Sequence, residues 1–151
     1  LKDPHCGAFA VIRLCSYFVA YFGLCGSVRF TPRVGLCWTL ALVLERALSG
    51  FAVAAFPLAK DTGLAHTFAT AADRQTVRRF LCGASALLVL ALTVLGGGVL
   101  AAAALLAMSR YYFVAKKQFG GITGDLAGWF LQRAELWMLA ALAVSQWGGV
   151  L

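Results

Sequence analysis

The chain has 151 residues, of which 62% are hydrophobic and 13% are charged, against roughly 45–50% apolar and about 25% charged residues in ordinary soluble domains. A water-soluble fold of this size could not bury that much apolar surface, so the composition excludes a soluble domain and indicates a membrane protein. The net charge is +7. Because the basic residues lie between apolar segments, they are typical of membrane orientation signals and not of nucleic-acid binding.

Apolar segments predict five membrane-crossing helices. One stretch, from Phe80 to Ser109, would be about 45 Å long as a helix, against a hydrocarbon core of about 30 Å. Its middle is Gly96-Gly97-Gly98, and successive glycines favour a turn, so we divide it into two crossings joined as a hairpin. The predicted crossings are Ala8–Val28, Val34–Ala59, Phe80–Leu95, Val99–Ala115 and Leu126–Trp147.

The basic links support this topology. Residues 60–79 and 110–117 are both rich in lysine and arginine, so both should face the cytoplasm. The hairpin places them on the same side, with Arg29 and Arg33 on the other. Within the first link, Asp73 could open a short amphipathic helix at the membrane interface. We therefore predict an all-α, polytopic transmembrane bundle that forms one membrane domain over residues 1–151.

Charged residues inside apolar segments are candidates for function, because each costs roughly 2.5–3.5 kcal/mol within a membrane. Glu45 and Arg46 lie near the middle of the second segment and should each find partners on other helices. Arg13 and Arg133 are candidate partners for Glu45. Arg46 shares a helical face with Gly50, which leaves room for a neighbouring helix or for an anion. Both an ion pair that fixes the bundle and a contact to substrate remain open.

The strongest local signal is the glycine-rich loop before the last segment. Thr123 and Asp125 supply a hydroxyl and a carboxylate where the start of a helix also favours anions. Such a loop could hold a phosphate and a divalent ion. The alternative is a close-packing stripe, because Gly120, Gly124 and Gly128 are spaced four residues apart.

Another aspartate precedes the first segment. Asp3 is followed by Pro4, and aspartate favours helix starts while proline suits the first turn. Residue chemistry alone therefore favours a helix cap at Asp3, with metal binding as the alternative.

Several motifs, in their order and spacing, resemble the cobalamin synthase family along nearly the whole chain. They are Lys-Asp-Pro-His-Cys-Gly-Ala-Phe-Ala-Val-Ile at 2–12, Glu-Arg-Ala-Leu-Ser-Gly at 45–50, Phe-Pro-Leu-Ala-Lys at 56–60, Gly-Leu-Ala at 63–65 and Gly-Gly-Ile-Thr-Gly-Asp at 120–125. Members of that family are polytopic membrane enzymes, also called adenosylcobinamide-GDP ribazoletransferases. They join adenosylcobinamide-GDP to α-ribazole or its phosphate, release GMP and require Mg²⁺.

The resemblance implies a transferase of vitamin B12 assembly in the bacterial inner membrane, with its active face toward the cytoplasm. By position in the motifs it implies Asp3 and Asp125 as Mg²⁺ ligands, with Asp125 also counted as catalytic. It further implies phosphate contacts for the basic residues Arg46 and Lys60. The substrate-binding residues that it implies are Gly120, Gly121, Thr123 and Gly124.

In that family an aspartate-rich element precedes the Lys-Asp-Pro motif, and this chain begins after the place where that element should lie. We therefore expect a fragment of a longer enzyme, inactive alone. Expected partners are the two substrates and the lipid bilayer, without nucleic acid, and a homo-oligomer is allowed. Two alternatives remain: a CDP-alcohol phosphotransferase-like enzyme, whose Asp-Gly-x-x-Ala-Arg signature is absent from the sequence, and a non-enzymatic transporter subunit, which no inverted repeat supports.

Overall fold

The structure is a computed structural model that describes residues 7–59 and 73–149. Within these ranges the regular elements are five α-helices, which confirms the all-helical prediction. The helices are α1 (Ala8–Ser27), α2 (Pro32–Ala55), α3 (Arg74–Val94), α4 (Gly98–Phe119) and α5 (Gly124–Trp147). The first four are long and apolar enough to cross a membrane, and the chain is therefore an integral membrane protein.

Prolines set both ends of α2. Pro32 occupies the first turn, where its missing N–H has no partner to lose. The helix ends at Ala55 because Phe56 precedes Pro57 and adopts an extended conformation with ψ 155°, as residues before proline usually do. The predicted end at Ala59 is therefore wrong by one helical turn.

The crossing α3 begins earlier than predicted. Asp73 caps the helix by accepting hydrogen bonds from the N–H of Gln75 at 3.1 Å and the hydroxyl of Thr76 at 2.6 Å, as aspartate commonly does at helix starts. The helix then continues without a break to Val94. The prediction that Asp73 opens a helix is confirmed, but this helix is not a short one ahead of Phe80, because it continues as the crossing itself.

The glycine turn between α3 and α4 confirms the hairpin. Gly96 has φ 85°, a conformation that glycine adopts without strain. The N–H of Gly97 donates to the carbonyl of Leu92 at 2.7 Å. A Cβ added at Gly97 would lie 3.2 Å from Cys37 Sγ, so the turn packs tightly against α2.

The core of the bundle lies between α2, α4 and α5. The helix α2 packs mainly against α3, while α4 packs mainly against α5. Leu44, Leu100, Tyr111, Phe130 and Met138 are among the fully buried side chains. In contrast, α1 contacts α5 and has no buried residue, so its apolar side chains are available to lipid.

Hydrogen bonds place the connections at alternating ends of the bundle, as predicted. At one end, Arg33 Nε donates to the carbonyl of Leu95 at 2.9 Å, beside the glycine turn. At the other end, the N–H of Ala59 donates to the carbonyl of Ile122 at 3.0 Å. We call these two ends the hairpin end and the loop end.

Candidate functional site

The helix α4 ends at a glycine. Gly120 is left-handed, with φ 70°, and its N–H donates to the carbonyl of Ala115, which is a common way to close a helix. Lys116 and Lys117 lie in the last turn, where positive charge is favourable. The chain therefore leaves α4 sharply and reaches α5 through a short loop.

Two of the sequence motifs are joined at this loop. The N–H of Ile122 donates to the carbonyl of Pro57 at 2.9 Å, and Leu58 and Ile122 form a short parallel bridge. The backbones approach so closely that a Cβ added at Gly121 would lie 2.6 Å from backbone atoms of Pro57, Leu58 and Ala59. Glycine is therefore required at position 121, and the motif that ends α2 forms one unit with the motif that precedes α5.

The loop presents Asp125 on the first turn of α5. Thr123 caps this helix, because its Oγ1 accepts a hydrogen bond from the N–H of Leu126 at 3.3 Å. Gly124 and Asp125 are both exposed. The Asp125 carboxylate thus lies open beside the N–H groups and the positive end of the helix dipole, where it can bind a cation while the helix start attracts an anion.

The evenly spaced glycines do not form a close-packing stripe. A Cβ added at Gly120, Gly124 or Gly128 would meet no atom of the described residues within 4 Å. The packing alternative is therefore wrong for this part of the chain. Within the described ranges, nothing packs against Gly124 beside the exposed Asp125.

An aromatic cluster holds the loop end together. The ring centre of Phe56 lies 4.8 Å from that of Tyr112 and 6.1 Å from that of Tyr111. Tyr111 in turn stacks on Phe130 at 5.1 Å. These contacts connect the end of α2 to α4 and α5 directly beside the bridge. Sequence analysis missed the cluster, because aromatic residues in apolar segments do not reveal which helices they join.

The charged residues in the middle of the bundle pair with one another. Arg46 Nη2 donates to Glu135 Oε1 at 3.0 Å, and Arg46 Nε lies 3.3 Å from Glu45 Oε1. The Glu45 side chain is fully buried, whereas 59% of the Arg46 side chain is exposed. The prediction that Arg46 has a partner on another helix is confirmed. The prediction that Arg13 or Arg133 pairs with Glu45 is wrong, because within the described ranges its ion-pair partner is Arg46.

Arg46 lies far from the loop. Its partner Glu135 is ten residues beyond Asp125, which corresponds to about 15 Å along α5. The structure therefore does not bring Arg46 and Asp125 together. On the Arg46 face, a Cβ added at Gly50 would lie 3.0 Å from Leu81 Cδ1, so the small residue there allows packing against α3.

Asp3 and Lys60 lie outside the described residues, although Lys60 directly follows Ala59 of the bridge. Over the described parts of the chain, no three His, Cys, Asp or Glu residues come together as a metal site. Mg²⁺ is commonly held by one or two carboxylates together with substrate phosphates. A site with Asp125 as its carboxylate in the described loop is therefore compatible with Mg²⁺.

Comparisons with known proteins agree with the motifs. Residues 1–143 match the family model described as cobalamin-5-phosphate synthase. A relative from Lachnoclostridium phytofermentans, named adenosylcobinamide-GDP ribazoletransferase, is 42% identical over 152 residues, which cover 95% of this chain and 55% of the relative. Relatives with the same name from a Geobacillus strain and from Pseudomonas putida are each 30% identical, over 91% and 96% of this chain and 55% and 59% of their own lengths.

The chain thus spans about half the length of the curated relatives it matches. No solved structure matches it.

Proposed function

The chain belongs to the cobalamin-5-phosphate synthase family, and from this premise we propose that it carries part of the active site of a membrane adenosylcobinamide-GDP ribazoletransferase. The proposed reaction joins adenosylcobinamide-GDP to α-ribazole, or to its phosphate, and releases GMP in cobalamin biosynthesis. The bridge between Leu58 and Ile122 carries the proposal, because it joins two separate family-like motifs at one end of the bundle.

The proposed chemistry needs positioning and charge neutralisation more than covalent help from the protein. An oxygen of the ribazole attacks the cobinamide-linked phosphorus of a pyrophosphate, and such transfers depend mainly on how the phosphates are held. The start of α5 supplies N–H groups and a positive dipole for a phosphate. Mg²⁺ would be held by Asp125 and, as the resemblance implies, Asp3, and would neutralise the charge that develops on the phosphates.

The surrounding loop keeps Asp125 in place. Gly121 lets the backbone of the loop lie directly on residues 57–59, and Thr123 fixes the first turn of α5. Lys60 continues from the bridge in sequence, and we assign its amine to the phosphates at this end. The start of α5, which Thr123 caps, is preorganised and loses little freedom when substrate binds.

Arg46 takes a different part in this proposal. Its guanidinium is shared by Glu135 and by the fully buried Glu45, and removing the partner of a buried charge is usually costly. We therefore assign Arg46 mainly to fixing α2 against α5. Because 59% of the Arg46 side chain is exposed, it can also contact another part of a large substrate. We propose this contact as its second role.

The loop end is assigned to the cytoplasm. Basic residues gather there, at the start of α3 and the end of α4, and outnumber Arg29 and Arg33 at the hairpin end. Such a bias orients membrane proteins with the basic end inside. We accordingly propose the bacterial inner membrane as the location. The basic residues at the loop end are Arg74, Arg78, Arg79, Arg110, Lys116 and Lys117.

Neither alternative function is favoured. The family match extends over residues 1–143, and the relatives that match nearly the whole chain carry the ribazoletransferase name. A phosphotransferase of CDP-alcohols or a transporter subunit has no comparable support.

The proposal is tested by measuring GMP release. The chain would be assayed alone and as a fusion with the portion of the Lachnoclostridium relative that it does not match, in membranes with adenosylcobinamide-GDP, α-ribazole and Mg²⁺. We expect Mg²⁺-dependent GMP release and a cobamide product from the fusion, and none from the chain alone. A folded fusion without activity, beside an active intact relative, would contradict the proposal.

A further inference from the structure

A groove of about 480 Å³ lies between the first halves of α1 and α5. Its volume is within the roughly 300–1,000 Å³ typical of small-molecule sites. At the hairpin end, the same two helices are held together by the Gln146 side chain, which accepts from the N–H of Arg29 at 2.9 Å and donates to its carbonyl at 3.0 Å. The groove therefore lies in the halves of α1 and α5 that are nearer the loop end.

Two arginines line the groove, one from each helix. Arg13 comes from the second turn of α1, and Arg133 comes from the third turn of α5. Within the described ranges, neither has a carboxylate at ion-pair distance, because the ion pairs found there all involve Arg46. Arg13 lies on α1, which is long and apolar enough to cross a membrane, and a charge without a counter-charge there is costly and marks a functional site. An anion placed between Arg13 and Arg133 would offset that cost.

The other groove residues fit a ligand that is partly apolar. The guanidinium of Arg133 lies 5.9 Å from the ring centre of Trp129, a typical cation–π distance. Leu14 and Leu136 supply apolar walls, and Tyr17 adds an aromatic ring. Guanidinium groups bind phosphate oxygens with matched geometry, so the lining suits a phosphate ester with an apolar or aromatic substituent.

Neighbouring acids do not cancel the positive charge. Glu135 lies between the groove residues Arg133 and Leu136 along α5, but it is bound to Arg46, which also pairs with Glu45. Counting these described residues alone, Arg13, Arg133 and Arg46 outnumber the two glutamates, which leaves a formal charge of +1 among them. The local field therefore attracts an anion.

We propose that the groove between α1 and α5 binds a phosphate ester through Arg13 and Arg133. Two sources share this chemistry: the phosphodiester headgroup of an anionic bilayer lipid and the diphosphate of a guanine nucleotide. Asp125 has the spacing of the same helical face as the groove residues Trp129 and Gln132. The nucleotide source rests on the proposed transferase function, whereas the lipid source is independent of it.

The fluorescence of Trp129 tests the proposal directly. The full chain is placed in phosphatidylcholine vesicles that contain brominated phosphatidylglycerol or, for comparison, brominated phosphatidylcholine, because bromine quenches a nearby tryptophan. A Trp129→Phe variant gives the signal of the other tryptophans for subtraction. For the lipid source, two arginines predict a roughly 30-fold preference for phosphatidylglycerol. If the ligand is a nucleotide, added GDP should change the Trp129 fluorescence in a saturable way, and brominated phosphatidylglycerol should quench it no more than brominated phosphatidylcholine does.

Charge variants separate the groove from a general charge effect. Arg13→Gln with Arg133→Gln should abolish the lipid preference or the GDP signal, whereas Arg13→Lys with Arg133→Lys should keep part of it. Arg78→Gln with Arg79→Gln removes the same charge on α3, whose residues do not line the groove, and should leave the signal unchanged. Circular dichroism checks that each variant remains helical.

Two results would overturn the proposal. One is an unaltered chain that shows neither a lipid preference nor a GDP signal. The other is an equal loss in both glutamine double variants. The fluorescence assay measures binding and not turnover, so the absence of binding would not contradict the proposed transferase function. Conversely, a fusion that releases no GMP would not contradict lipid binding in the groove.

Discussion

The two ends of α4 both contain glycines, but the glycines at the two ends differ in their surroundings. At the hairpin end, the space beside Gly97 is filled, since an added Cβ would lie 3.2 Å from Cys37 Sγ. At the loop end, Gly121 touches backbone, whereas Gly124 has no described atom within 4 Å of an added Cβ and Asp125 beside it is exposed. A glycine turn that only reverses the chain is filled by its own bundle. A glycine loop suited to a ligand combines fixed backbone with open space.

The charged side chains at the two ends differ in the same way as the glycines do. At the hairpin end, Arg33 is bound to the carbonyl of Leu95, so the protein itself uses this donor. At the loop end, Lys116, Lys117 and Asp125 are exposed. The loop end therefore has charges of both signs available to a ligand, as a site for a phosphate and its cation requires.

The largest effect on stability is expected for Gly121→Ala. The new Cβ would lie 2.6 Å from three backbone atoms, which cannot move aside as a side chain can. Overpacking costs about 1–3 kcal/mol, and loss of the bridge hydrogen bonds adds about 1 kcal/mol each. Thermal unfolding in detergent should therefore show a clear loss. Gly124→Ala, in open space, is the matched control and should change stability by less than about 0.5 kcal/mol. Equal stability of the two variants would contradict the difference in surroundings between Gly121 and Gly124.

A smaller effect is expected at the hairpin end for Gly96→Ala. The backbone there has φ 85°, and a left-handed conformation costs a residue with a Cβ roughly 1–2 kcal/mol. Gly96→Asn should lose less, because asparagine tolerates this region better. Neither variant should lower GMP release by the fusion at temperatures where it stays folded. Loss of activity without loss of stability would show that the hairpin end is part of the site.

The smallest effect is expected for Asp73→Ala, at the start of α3. The hydroxyl of Thr76 and then the N–H of Gln75 donate to the carboxylate and hold the pKa of Asp73 below its usual value of 3.8. Because the folded-state pKa is the lower one, the stabilisation is fully present above about pH 4 and is lost as the pH falls through the folded pKa. The difference in unfolding temperature between the unaltered chain and Asp73→Ala should therefore shrink in acid. A difference that grows in acid would contradict this assignment.

Sequence patterns predicted the helices well, for physical reasons. The hairpin follows from an apolar stretch that is too long for one bilayer crossing and has three glycines at its centre. The end of α2 was misplaced at Ala59, because the apolar pattern continues past Pro57 although the backbone cannot. The start of α3 was misplaced at Phe80, because Arg78 and Arg79 interrupt the apolar pattern but not the helix.

Contacts between helices could not be predicted in the same way. The pairing of Arg46 with Glu135 depends on how α2 is rotated toward α5, and a helix that is apolar on most sides does not fix that rotation. The bridge likewise joins Leu58 to Ile122 across a long separation in the chain. The motif resemblance implied that Gly121 binds substrate. The close approach of residues 57–59, which requires glycine at this position, is seen only in the folded chain.

In the proposed site, Asp125 is a ligand-binding carboxylate of the loop end and not merely an acidic residue at a helix start. The most direct measurement compares GMP release by the fusion and by its Asp125→Asn variant across a range of Mg²⁺ concentrations, with Asp73→Asn as the matched exposed control. We predict that Asp125→Asn lowers GMP release by roughly 100-fold with an unchanged unfolding temperature, while Asp73→Asn retains full activity. Undiminished GMP release by Asp125→Asn would contradict this role of Asp125.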